Sequence, residues 1–357
     1  MKKYLLEIFN KFKNLRGMKR IYTYLLISLY IFIVIVSLVK VNYTTLSPGT
    51  ITPVSSLITI EDSNNANKPI YTVSVYETRQ VSIMQYWLSL LNPYIAISKF
   101  DPKIELSNKD EQYQGELMKK TSITNSIILA YNEAKKQNPL INIEYEFNGL
   151  VVVMINRLTD PDLHLGDVIT AINGHDITSY NAYKAIVLAL LEDEQVNDFS
   201  LSIIRKEEKQ DISVSIYSEQ TPNGKLRYLN FMAYEDYTIK NANPKYTEKK
   251  SDSYGPSGGL MQALAIYDAI TNGDLTKGKK IMGTGTINVD GTIGAIGGIE
   301  QKIITANLYD ADYFFVPREN YSDALKQYQS LKDPILKDII QVDSFSDAIN
   351  FLLNLEG

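Results

Sequence analysis

Residues 253–267 read SYGPSGGLMQALAIY, and this stretch decides the fold of the C-terminal part of the chain. A single serine, Ser257, stands among Gly255, Pro256, Gly258 and Gly259, immediately before an apolar run with helical spacing. Two readings follow from these residues. Ser257 can be a helix cap, because a serine hydroxyl accepts a hydrogen bond from a first-turn N–H. It can equally be a nucleophile held where a substrate backbone reaches it. A cap needs only the serine and leaves the glycines unexplained, since glycine in the first turn of a helix costs stability. Glycines on both sides allow a substrate backbone to approach, and the free N–H groups of a helix start can stabilise an oxyanion.

A serine nucleophile needs a base. The chain has no cysteine and two histidines, His164 and His175, both inside a β-rich stretch and neither placed by sequence to serve Ser257. They give no spacing typical of a metal site, and no metal is expected. A neutral lysine can do the work when its pKa is lowered. Lys302, in IGGIEQKIITANLY (296–309), falls in the first turns of a helix that starts after Gly297 and Gly298. The positive end of the helix and the apolar neighbours Ile299 and Ile303 both disfavour an ammonium there.

The rest of the chain bounds the setting. At 357 residues it is long enough for two or three domains. Its first twenty residues carry five Lys and two Arg against Glu7, a balance of +6, so the remainder of the net −5 chain carries −11. An acidic body lacks the basic footprint that nucleic acid requires. Residues 21–39, IYTYLLISLYIFIVIVSLV, are uncharged and match the length of a transmembrane helix. With cations at 1–20, the N-terminus is expected in the cytoplasm and everything after Lys40 outside.

Beyond the membrane, TLSPGTITPVSSL (45–57) reads as an extended connection, PIYTVSVYE (69–77) as a strand, and SIMQYWLSLLN (82–92) and GELMKKTSITNSIILAYNEAKKQ (115–137) as helices. No chemistry is evident in 40–138, and Trp87 reads as core or as a partly buried anchor. Residues 139–217 change to short β-branched runs around one helix, SYNAYKAIVLALL (179–191). From about residue 250 helices and strands alternate, the mark of an α/β layer. VDGT (289–292) marks a tight hairpin within it.

HLGDVITAINGHDI (164–177) resembles the PDZ domains of bacterial proteases, although LTDPDLHLGD stands where that family has a longer loop and helix. Residues 254–306 resemble the proteolytic domain of Lon-type peptidases, whose GPSAG serine and GGLKEK second lysine form a Ser-Lys dyad. The resemblance places Ser257 at the serine, Gly259 at the final glycine of that motif and Lys302 at the lysine. Thr284, in GTGTI, takes the place of a threonine that sits beside that lysine in the family. SDSYG (251–255) replaces the family's PKDG lead.

The order of anchor, PDZ-like module and Lon-type domain resembles the membrane-anchored YlbL-type peptidases. The implied architecture is a cytoplasmic basic segment (1–20), a transmembrane helix (21–39), an extracytoplasmic connecting region (40–138), a PDZ-like domain (139–217) and an α/β Lon-type domain (218–357). The strands missing from the N-terminal side of that domain come either from LRYLNFMAYEDY (226–237) or from the segment before the PDZ-like module. The resemblance also implies a possible homo-oligomeric ring.

GDLTKGKK (273–280) has the spacing of a phosphate loop but ends in Lys280 where Ser or Thr should hold magnesium, and it follows a helix. It is expected to be a surface turn, so ATP-independent peptidase activity on protein or peptide substrates is expected, with no cofactor. The other reading is a catalytically silent, membrane-tethered adaptor that binds peptides through the PDZ-like module.

Overall fold

The computed structural model describes residues 17–61, 63, 69–222, 224–251, 253–271 and 273–355. Most of the basic segment expected at 1–20 lies outside the described residues. In chain order the N-terminal half contains helix α1 (Gly17–Leu38), strands β1 (Tyr43–Pro53), β2 (Ile58–Ile60) and β3 (Ile70–Thr78), helix α2 (Ile83–Leu90), strand β4 (Ala96–Lys99) and the long helix α3 (Asn108–Lys135). Next come β5 (Asn142–Ile155), β6 (Val168–Ile172), β7 (His175–Asp176), α4 (Tyr180–Glu192), β8 (Asp198–Arg205) and β9 (Glu208–Ser215). They are followed by β10 (Tyr217–Thr221), β11 (Gly224–Tyr228), β12 (Phe231–Asn243) and β13 (Tyr246–Glu248). The C-terminal part runs α5 (Gly259–Ile270), β14 (Ile281–Gly283), β15 (Thr286–Ile287), β16 (Ile293–Gly294), α6 (Ile299–Leu308), β17 (Tyr313–Pro317), α7 (Arg318–Ser330), β18 (Asp338–Val342) and α8 (Phe345–Leu353).

The chain divides into two compact units, one ending at Ser47 and resuming at Tyr76–Asp101, the other comprising Pro48–Val75 and everything from Pro102. In the first, α1 leads into the start of β1, which pairs antiparallel with β4 from Tyr43↔Lys99 to Leu46↔Ala96. Helix α1 is long and apolar enough to cross a membrane, and only 6% of its apolar stretch is buried against protein. Its 22 residues span about 33 Å at about 1.5 Å each, close to the roughly 30 Å of a bilayer's hydrocarbon core.

Two larger sheets organise the second unit, beside the two-stranded pairs β10–β11, β13–β2 and β15–β16. In one, β14 lies between β3 and β17 and runs parallel to both, and β17 runs parallel to β18. Parallel neighbours need crossovers, which α6 and α7 supply. The other sheet has the order β12-β5-β6-β8-β9, with β7 paired to β6, all antiparallel. Leu150, Ile169, Leu201 and Ile203 form its core, with Tyr183 of α4 packed in.

Strand β12 pairs with β5 from Phe231↔Ile155 to Asn243↔Asn142, so the small module runs to residue 243 instead of 217. LRYLNFMAYEDY runs from β11 into β12, which lies beside β5. The sheet that holds β14, β17 and β18 is extended by β3 and β1, from the segment before the small module. The 40–138 region is likewise more than a connection. Val54, Ile58 and Ile70 share one core with Ile127, Ile128 and Tyr131 of α3, Leu260 and Leu264 of α5, and Phe345 of α8. A strand-and-helix pattern shows that a segment is structured, but not which distant apolar face it covers.

VDGT closes the β15–β16 hairpin, with Gly291 at φ 86° and Asp290 accepting from the Thr292 N–H. KIMGTGTINV, which reads as one strand, breaks into β14 and β15 at Gly283–Gly285, where the chain bends around the start of α5.

Ile127 is wholly buried between segments far apart in sequence. Ile127→Ala is expected to cost about 2–5 kcal/mol, read as a lower denaturant midpoint of the detergent-solubilised full chain. Residues 260–355 should become protease-sensitive in the same transition, because α3 belongs to their core.

Candidate active site

The opening of α5 shows what the serine among glycines does. The helix cap is Gly258, with no side-chain capping bond, and the Ser257 hydroxyl instead lies 2.9 Å from Lys302 Nζ. Two turns far apart in sequence meet here. Lys302 sits in the second turn of α6, which Gly298 starts with a left-handed φ of 69° that favours glycine.

Lys302 is buried at 2% exposure, and its Nζ donates to the Val73 carbonyl of β3 at 2.7 Å. Burial among apolar side chains pulls the amine down from its ordinary 10.5 to about 7. An amine near neutrality offers a lone pair to the Ser257 hydroxyl while one N–H remains on Val73. The geometry is that of an oriented base beside a nucleophile.

The serine turn is held from several sides. The Ser257 carbonyl accepts from the Gly285 N–H at 2.9 Å and from Thr284 Oγ1 at 3.0 Å. Thr284, buried and expected beside the lysine, thus directs its hydroxyl to the serine backbone. Helix α3 supplies the rest: Ser122 Oγ donates to the Pro256 carbonyl, Ser126 Oγ to the Gly259 carbonyl and Asn125 Nδ2 to the Ile287 carbonyl. The Gly255 N–H donates to the Gly115 carbonyl of the same helix.

The glycines around Ser257 differ in their roles. Gly255 has φ 84° and open space where a Cβ would be, so backbone geometry calls for glycine. A Cβ on Gly259 would lie 2.7 Å from Ser122 Oγ and 2.8 Å from Ile287 Cγ2, and one on Gly258 3.0 Å from Thr72 Cγ2. At Gly258 and Gly259 the protein's own α3, β15 and β3 approach closely. The Gly259 and Leu260 N–H groups are also engaged, by the Pro256 and Gly285 carbonyls.

Beside the serine turn lies a cavity of about 120 Å³ lined by Ser122, Asn125, Tyr180, Tyr234, Pro256 and Ile287, among others. Asn125 Oδ1 is buried and has no hydrogen-bond partner among the described residues. The small module thus contributes to the wall next to Ser257 through Tyr180 and Tyr234.

Other sequence candidates stay apart from this site. His164 sits 3.1 Å from the Pro161 carbonyl, and His175 is exposed in β7. Among the described residues no group of three or more His, Asp or Glu side chains could hold a metal ion. GDLTKGKK is a turn between α5 and β14, with Lys277 donating to the Leu353 and Leu355 carbonyls and Lys280 to the Tyr309 carbonyl.

The reading of 40–138 as free of chemistry missed Val73, Ser122, Asn125 and Ser126. The signal was present in α3: Thr121, Ser122, Asn125 and Ser126 recur at helical spacing immediately before the apolar IILA of 127–130. Small polar side chains on the buried face of a helix point to backbone carbonyls waiting opposite.

Residues 228–354 match the Lon protease (S16) C-terminal proteolytic domain. Similar proteins include the Lon proteases of Aster yellows witches'-broom phytoplasma, 35% identical over 27% of this chain and 12% of that protein, and of Campylobacter jejuni, 32% identical over 34% and 14%. Lon protease 2 of Bacillus subtilis is 30% identical over 28% and 16%. The chain thus matches only a small part of each relative's length. Structural neighbours include the PDZ domains of the SdrC-like proteins of Listeria monocytogenes (13% identity, 25% of this chain, 90% of that one, TM-score 0.21) and Listeria innocua (15%, 24%, 94%, 0.21).

Lys302 also sets a pH dependence of stability. The unfolded chain holds this proton up to about pH 10.5 while the folded chain releases it near 7, so stability rises with pH between those values and is flat below. Lys302→Met should abolish that rise and, at pH 7, add stability approaching about 4–5 kcal/mol, measured by denaturant titration of the full chain in detergent at pH 7 and pH 9. The C-terminal third of the chain, residues 228–354, has the sequence of a Lon-type proteolytic domain.

Proposed function

We propose that the chain is a membrane-anchored serine endopeptidase in which Ser257 is the nucleophile and Lys302 its base. The observation that carries this reading is a buried lysine amine, held near neutrality, 2.9 Å from a serine hydroxyl at a glycine-rich helix start. Burying a lysine without an acidic partner costs stability, a cost that a purely structural role does not explain.

In the proposed cycle Ser257 Oγ attacks the peptide carbonyl as its proton passes to Lys302 Nζ. The ammonium then protonates the leaving amine, and the acyl-enzyme is released when water attacks with Lys302 again as base. Val73 keeps the amine aimed throughout, and Thr284 with Gly285 fixes the Ser257 backbone. The N–H groups of Ser257 and Gly258 are the donors we assign to the oxyanion. A substrate side chain next to the scissile bond enters the 120 Å³ cavity beside the serine turn.

Helix α1 anchors this machinery in a membrane, and the +6 balance of the first twenty residues keeps the N-terminus cytoplasmic, with proteolysis on the opposite side. Substrates are exposed segments of extracytoplasmic proteins, cleaved without ATP. The module of residues 142–243 recruits extended peptide or gates its access.

The full-length protein in detergent, without ATP, is expected to cleave an unfolded protein substrate. Ser257→Ala and Lys302→Ala should each lower the rate by about 10³-fold or more. Lys302→Arg should be equally inactive, because a guanidinium stays protonated. The wild-type rate should rise with pH through about 7 as Lys302 loses its proton. Cleavage by wild type and variants alike would refute the dyad.

A further inference from the structure

We infer that helix α2 is a second membrane element, folded back beside α1 into the same leaflet. The inference rests on the reading of α1 as a membrane span. From Val81 to Ser98 the chain carries no charged side chain, between Arg79 and Lys99. The stretch is too short and too broken by Pro93 to cross a bilayer, so its sequence alone suggests only an apolar helix.

The contacts between α1 and α2 set the depth. The Ile83 N–H donates to the Val39 carbonyl at the end of α1, Ser37 Oγ lies 3.5 Å from Met84 Sδ, and Trp87 stacks on Phe32 with ring centroids 6.4 Å apart. As α2 advances, its partners move back along α1, so the two helices run antiparallel. Phe32 lies about 9 Å along the axis from Leu38 at about 1.5 Å per residue. With α1 in a bilayer whose half-thickness is about 15 Å, Trp87 sits at the level of the upper acyl chains.

The surface of α2 and its turn fits that medium. Trp87 is 49% exposed, Leu88 and Leu90 more so, and Leu91 81% exposed, with Tyr94 beyond them. These are side chains that acyl chains cover at no cost, and Trp and Tyr favour the membrane interface. The backbone is prepared for a dry setting. Ser82 and Gln85 form a reciprocal capping box, while the Leu91, Asn92 and Ile95 N–H groups donate to the Leu88, Ser89 and Asn92 carbonyls. Ser89 Oγ returns to the Gln85 carbonyl and the Tyr94 N–H to Asn92 Oδ1. Each of these internal pairings lowers the cost of entering hydrocarbon, where an unsatisfied polar group costs several kcal/mol.

Trp87 is the sole tryptophan, so the native chain carries its own depth probe. The full-length protein is reconstituted into phosphatidylcholine–phosphatidylglycerol vesicles containing phosphatidylcholine brominated at a shallow or a deep acyl position. A second protein, Trp87→Phe with Ile27→Trp, reports on the middle of α1. Shallow bromine is expected to remove most of the Trp87 emission, with aqueous iodide leaving it intact and the maximum shifted to the blue. Deep bromine should quench the Ile27→Trp reporter. If that reporter is quenched by bromine while Trp87 responds only to iodide, the span stands and the embedded α2 is refuted. If bromine quenches neither, the span reading fails and the inference falls with it.

Discussion

Most of the peptidase core can be read as the support of one buried lysine. Lys302 brings an amine into a buried interior where, among the described residues, the Val73 carbonyl and the Ser257 hydroxyl lie within hydrogen-bond distance and no carboxylate pairs with it. A charged amine there would be severely underhydrated, so the interior itself keeps the group near neutral. The same burial that costs folding energy lowers the pKa of the amine. Both consequences come from apolar packing by Ile299, Ile303 and the strands beside them.

The second requirement is a serine turn that cannot move away. Helix α3 meets it with short hydroxyl and amide side chains placed on three carbonyls around Ser257, and with a close approach to Gly259 that any larger residue would block. Thr284 and Gly285 hold the Ser257 carbonyl from the other side. This fixes the backbone around Ser257 while its hydroxyl stays 2.9 Å from the Lys302 amine. Ser257 precedes α5 and Lys302 lies in α6, but the groups that hold them come from β3 and α3, which precede the small β module in sequence.

That order accounts for how legible each part was. Ser257 and Lys302 stood out because local context marked both: the serine lies between glycines, and the lysine lies in the opening turns of an apolar helix. The alternation of helices and strands after residue 250 was equally plain. β12 was harder to place, since one β-rich run can join either of two sheets and its pairing with β5 is a long-range choice. The glycines were read as room for substrate, and neighbouring elements of the chain itself also pack close to Gly258 and Gly259.

By itself, the sequence determined the apolar span, the mixed α/β character, the hairpin at Asp290–Gly291 and the two residues that meet as Ser257 and Lys302. These depend on composition, period and turn chemistry, which are local. Only the tertiary structure decided that residues 48–75 and 108–135 build the peptidase core, that Val73 fixes the lysine, and that Trp87 lies against Phe32. Each of these is a contact between segments distant in sequence. Periodicity reports that a face is apolar, but only folding decides which surface will cover it.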